Sequence, residues 1–170
     1  MLLTLPGCGD PKPDPDDPTS EPPSSTTTEP VSDPPTSTTT PEPEPETAED
    51  FIRRWHQAGD QMQVTGETAE YLALGLDCTP CSETAEIVAK YYAAGGFIQY
   101  GGTIVTRIRR VGRVDGAVEF EVDRTSAPTR YKETASGPIK KFAGGDDRIR
   151  MKITKTAGEW HVLDVGLFAT

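Results

Sequence analysis

The 170-residue chain has no asparagine, two histidines, two tryptophans and three cysteines. Without asparagine, N-linked glycosylation is excluded. No stretch of 18 apolar residues occurs, so no transmembrane helix is expected. The two histidines stand 105 positions apart, at His56 and His161, and no Cys/His pairing has the spacing of a zinc site. No Gly-x-Ser-x-Gly, phosphate loop or His-Glu-x-x-His is present, so neither a metal nor a cofactor is expected. Basic residues are outnumbered, 17 against 27 acidic, giving a net charge of −10. That balance supplies no basic footprint for nucleic acid.

What is present is divided sharply near residue 46. Residues 1–46 carry 13 of the 16 prolines, 14 Ser or Thr, and ten acidic groups against one lysine, a net of −9. Residues 47–170 carry 16 basic and 17 acidic groups, a net of −1. The expected organisation is a short leader at 1–8, a Pro/Thr/Glu-rich tether at 9–46 and one folded domain at 47–170. The tether is too poor in apolar groups to build a core, and no secondary structure is assigned to it. Its prolines favour polyproline-II-like chain, whose 38 residues reach at most on the order of 120 Å at about 3.1 Å each. Its Thr clusters could accept O-linked sugar; an inert spacer is the simpler reading.

Leu5-Pro6-Gly7-Cys8 resembles a bacterial lipobox: an aliphatic residue, a spacer, a small residue, then cysteine. The resemblance implies a lipid on Cys8 and a membrane-anchored, extracytoplasmic protein. Only seven residues precede Cys8, too few for a basic and an apolar signal region, so the expected start codon lies upstream. Acyl chains contribute about 0.8 kcal/mol per buried methylene, so a diacylated Cys8 would anchor durably.

In the domain, Thr47 can cap a helix on which Phe51, Ile52, Trp55, Ala58 and Met62 fall on one face. Gly66 ends it. A short second helix carries Tyr71, Leu72, Leu74 and Leu76. A third is expected from a Ser82 cap, Glu83 to Ala94, with Ile87, Val88, Tyr91 and Tyr92 inward and Gly95-Gly96 as its exit. Beyond residue 97 the period becomes two. Apolar and charged residues alternate around Ile104–Arg109, Val118–Asp123, Arg148–Ile153 and Trp160–Phe168. Asp115-Gly116 and Ala157-Gly158 are hairpin turns. Thr125–Asp147 reads as a long excursion with one short strand near Ile139. Helices first and amphipathic strands after predict an α+β fold, with helices packed on one antiparallel sheet that is wet on its other side.

Four motifs carry a further resemblance over about residues 47–168: Ala48-Glu49-Asp50-Phe51, Cys78-Thr79-Pro80-Cys81, Tyr92-Ala93-Ala94-Gly95-Gly96 and Trp160–Val165. Together they resemble an actinobacterial family of lipoproteins of unknown function with a cone-shaped domain like that of nuclear transport factor 2 (NTF2-like, cystatin-like). The resemblance implies a curved sheet, a concave face that could hold a ligand, and frequent pairing with a second copy. It brings no assigned activity.

Three functional readings follow. The first is a non-enzymatic, tethered binding or interaction module, meeting a cell-wall component or envelope protein. The second is an acid–base enzyme using the concave face, with His161, Tyr91 and Tyr92 as candidate pocket residues. The third is a redox protein using Cys78 and Cys81 at a helix N-terminus; the simpler use of that pair in an exported protein is one structural disulfide. His56 and Asp60, one helical turn apart, could be a base and its orienting carboxylate, but read more simply as an exposed helix pair. Arg107, Arg109, Arg110 and Arg113, with Arg148, Arg150, Lys152 and Lys155, could bind anions. They read more simply as a solvated face matched by Glu119, Glu121 and Asp123.

Overall fold

The computed structural model describes residues 44–167. The leader at 1–8, Cys8 and the tether as far as residue 43 lie outside the described residues, as does Phe168. The order of elements is α1 (Ala48–Thr65), α2 (Ala69–Ala73), α3 (Thr79–Ala93), β1 (Phe97–Tyr100), β2 (Thr103–Val114), β3 (Ala117–Ser126), β4 (Thr129–Lys132), β5 (Lys140–Phe142), β6 (Gly145–Thr156) and β7 (Glu159–Leu167). The fold is α+β, helices first. Among the described residues no helix is long and apolar enough to cross a membrane.

The first helix begins as its sequence dictates. The Thr47 hydroxyl accepts from the Asp50 amide at 3.1 Å, satisfying one of the donors a helix start leaves open. It ends at Gly66, in the left-handed region at φ 79°, where a Cβ would lie 2.5 Å from Tyr92 Cγ. Phe51, Ile52 and Met62 are fully buried against Val122, Ile149, Met151, Ile153 and Val162 of the sheet. Each such side chain contributes about 1.5–3 kcal/mol relative to an exposed one.

The third helix starts four residues before the expected Glu83. Its cap is Cys78, whose Sγ accepts from the Cys81 amide, in place of Ser82. Pro80 fits the first turn, where its missing N–H costs nothing. Its inward stripe is Cys81, Ala85 and Val88. Ile87, expected inside, is half exposed, because it lies about 100° around the helix from Val88.

The strands form two antiparallel sheets where one was expected. The larger has the order β2-β3-β6-β7 and the smaller β1-β4-β5. The expected excursion over Thr125–Asp147 is mostly regular: β3 runs to Ser126, β6 starts at Gly145, and β4 and β5 lie between. β5 is the short strand next to Ile139; β4, which pairs with β1, gives no alternating signal of its own. The turns at Asp115-Gly116 and Ala157-Gly158 have φ of 51°, 84°, 53° and 92°, the left-handed pair that suits a twisted hairpin. On the outer face of the large sheet, register sets Asp123 opposite both Arg107 and Arg148, and Glu121 opposite both Arg109 and Arg150. The charged outer faces are therefore complementary, as their signs predict. At the far edge, the Val162 amide donates to the Leu74 carbonyl at 2.8 Å, tying β7 to the α2–α3 connection.

Candidate functional site

A cavity of about 320 Å³ lies where α1, α2 and α3 meet the large sheet. Trp55, Met62, Ile149, Val165 and the ring of Tyr71 give it apolar walls; His56, Asp60, Arg124 and the Tyr71 hydroxyl are its ionisable groups. His56 and Asp60 are placed by α1, one turn apart. Arg124 comes from β3 and Thr103 from the start of β2.

His56 is almost fully buried, not on an exposed helix face as the simpler expectation held. Ile52, His56 and Gly59 fall at i, i+4 and i+7, so the histidine continues an inward row. Its Nε2 is buried and has no hydrogen-bond partner among the described residues. Burial first, and then the positive charge of Arg124, push its pKa down to about 4; Asp147 opposes them. The imidazole is neutral at pH 7.

Asp60 does not orient that imidazole. Its Oδ2 accepts from the Thr103 amide at 2.8 Å and its Oδ1 from the Thr103 hydroxyl at 3.0 Å. Burial raises its pKa, while those two hydrogen bonds and Arg124 pull the other way. Arg124 is held by a bidentate pair with Asp147, at 2.6 and 2.9 Å. Burial also pushes the Tyr71 hydroxyl up to about 12.

The expected pocket residues lie elsewhere. The Tyr92 hydroxyl donates to the Gln63 carbonyl at 2.8 Å, binding α3 to α1. Tyr91 stacks on Tyr131 at 5.7 Å and its hydroxyl meets Glu133, both on the side of the small sheet. His161 pairs in register with Thr154, one place from the core pair Val162 and Ile153, so it faces away from that core. Tyr91 lines a separate cavity with Tyr131 and Phe142. Cys78 and Cys81 form a disulfide. Both half-cystines are buried, which restricts the approach of an incoming thiol. Among the described residues, no group of three or more His, Cys, Asp or Glu side chains could hold a metal ion.

No protein-family model matches the chain, and no curated protein does. Several solved structures are similar to it. The intermembrane space region of the chloroplast protein ARC6 is 14% identical, covering 76% of this chain and 100% of its own, with a TM-score of 0.49. A protein from Catenulispora acidiphila is 14% identical over 71% of this chain and 86% of its own, TM-score 0.48. An NTF2-like protein with a cystatin-like fold from Novosphingobium aromaticivorans is 12% identical over 68% and 75%, TM-score 0.35. These are similarities of fold.

Proposed function

We infer that the chain is a cell-envelope lipoprotein, held on the outer side of a membrane by lipid on Cys8, whose folded head binds a small, largely apolar molecule in the cavity beside His56. The observation that carries the binding reading is the buried, neutral imidazole with an unpartnered nitrogen in an apolar wall. A buried polar atom without a partner costs about 1–3 kcal/mol, and a ligand that reaches it with a hydrogen-bonding group recovers that cost. The volume lies at the small end of those that bury a small molecule. Leu5–Cys8 and the composition of residues 9–46 support the anchored placement.

Binding fits the wall better than catalysis. Both Asp60 oxygens are engaged by Thr103, and Arg124 by Asp147. That leaves the His56 imidazole with no carboxylate hydrogen-bonded to it, among the described residues, to orient it or relay its proton. The acid–base reading has one observation in its favour: His56 is pushed down and Asp60 up in the same cavity, the pattern of a base and an acid set apart.

The test is a titration of the full chain with small phenols, alcohols and ketones, followed by NMR. At least one is expected to bind, shifting resonances of α1 and β3, and His56→Phe is expected to weaken it about tenfold while leaving the circular dichroism unchanged. Identical binding by His56→Phe removes the reading. A ligand recovered unaltered after long incubation supports binding; a converted one supports the acid–base alternative.

A further inference from the structure

We propose that a second site, in the groove between the first turn of α1 and the β2–β3 hairpin, binds a phosphate monoester carried on an apolar or planar body, with Arg110 and Arg113 holding the phosphate.

Two arginines three positions apart on a regular strand would face opposite ways. Here they do not. The pairing of β2 with β3 steps from Arg110 opposite Phe120 to Gly112 opposite Glu119, leaving Val111 out of register. This bulge returns Arg113 to the face of its partner Val118, the same face that carries Arg110 and Phe120. That face is the core side of the sheet, continued by Ile108 opposite Val122. Both guanidinium stems therefore lie over apolar surface at the end of the hairpin, next to α1.

Five other cations of the large sheet are held in ion pairs. Arg107 and Arg148 share Asp123, Arg109 meets Glu121, Arg150 meets Glu119, and Lys152 meets Asp164. Arg110 and Arg113 have no ion pair or hydrogen bond among the described residues. Among the described residues, Glu49 is the one carboxylate lining the groove, and it makes no ion pair with either. The groove has about 470 Å³, a floor of Val118 and Phe120, and Trp160 in its wall. Lys155 lies over that wall, its Nζ 5.3 Å from the centre of the Trp160 ring, with the Glu46 carboxylate close enough to feel its charge.

Two guanidinium groups lining one groove repel, and an anion bound there relieves the repulsion. A doubly charged phosphate matches two unit charges and accepts the forked hydrogen bonds that arginine offers. Phe120 and Trp160 give an attached ring or chain a surface to cover. The site differs from the His56 cavity in elements, charge and ligand.

The experiment titrates the full chain with phenyl phosphate, inorganic phosphate and benzoate, following Trp160 by NMR. Phenyl phosphate is expected to bind several-fold more tightly than either and to weaken as salt rises. The double variant R110Q/R113Q is expected to lose at least tenfold in affinity, while R107Q, on the opposite face, stays as wild type. Equal binding by R110Q/R113Q overturns the proposal. So does equal affinity for benzoate, or a response confined to the residues around His56. Because none of these three arginines is in the core, the variants report binding rather than folding.

Discussion

Protonating His56 would set a charge in a largely buried wall, under the influence of Arg124, so the folded protein takes up that proton only near pH 4. The unfolded chain takes it up near the ordinary 6.5. Between those values the unfolded state holds more protons, and stability must fall as pH is lowered through the window. The difference amounts to about 3 kcal/mol, fully present above pH 6.5 and gone below about 4. Asp60, shifted the other way, opposes the loss only just above its ordinary 3.8. Urea unfolding at pH 7.5, 5.5 and 4 should show this slope in the native chain and a much flatter one in His56→Gln; an equal slope in both would refute the assignment. This residue is also where the sequence was hardest to read. The pair His56 and Asp60 looks like a polar helix face, and only the row it forms with Ile52 and Gly59 signals burial. Asp60's true partner, Thr103, lies 43 residues away, a distance that no local pattern reports.

Among the elements, α1 was the most legible, because a capping threonine, an apolar row and a terminating glycine all agree on it. Gly66 makes a sharp test. Its φ of 79° is strained for any side chain, and a methyl there would run into the Tyr92 ring at 2.5 Å. Gly66→Ala should therefore destabilise the domain by about 2 kcal/mol or more, from the backbone conformation and the displaced ring together. A chemical denaturation midpoint equal to that of the native chain would show that the helix end is more forgiving. The start of α3 was misplaced because serine is the commoner cap; Pro80, a residue that favours a first turn, was the available signal. The small sheet escaped notice for a different reason. Its strands have four, four and three residues, and β5 is exposed throughout. What holds it lies outside the local pattern: pairing between β1 and β4, and a stack of Tyr91, Tyr131 and Phe142 with ring centres 5.7 and 5.4 Å apart. The bridge of Cys78 to Cys81 at the α2–α3 bend was the simpler of the readings that the spacing left open.

For the whole molecule, composition separates a head from an acidic, proline-rich stretch, and the head's helices-then-strands order is the one found. The anchored placement makes its own forecast. In cells fed radiolabelled palmitate, label should appear on the full-length protein and vanish in Cys8→Ser, with the variant released from the membrane fraction. Label retained by Cys8→Ser, or a native protein recovered from cytosol, would end that account. The ligand itself was not legible in the sequence, because both candidate sites are assembled from remote segments: α1 with β2, β3, β6 and β7 for one, and the bulged hairpin with Trp160 for the other. The tie between Val162 and Leu74 has a consequence for molecules crowded side by side on one surface. At that border a backbone donor is already occupied from within the same chain, so a neighbour arriving there cannot extend the ladder through it, and dense arrays of these heads are to that extent protected from growing into fibres.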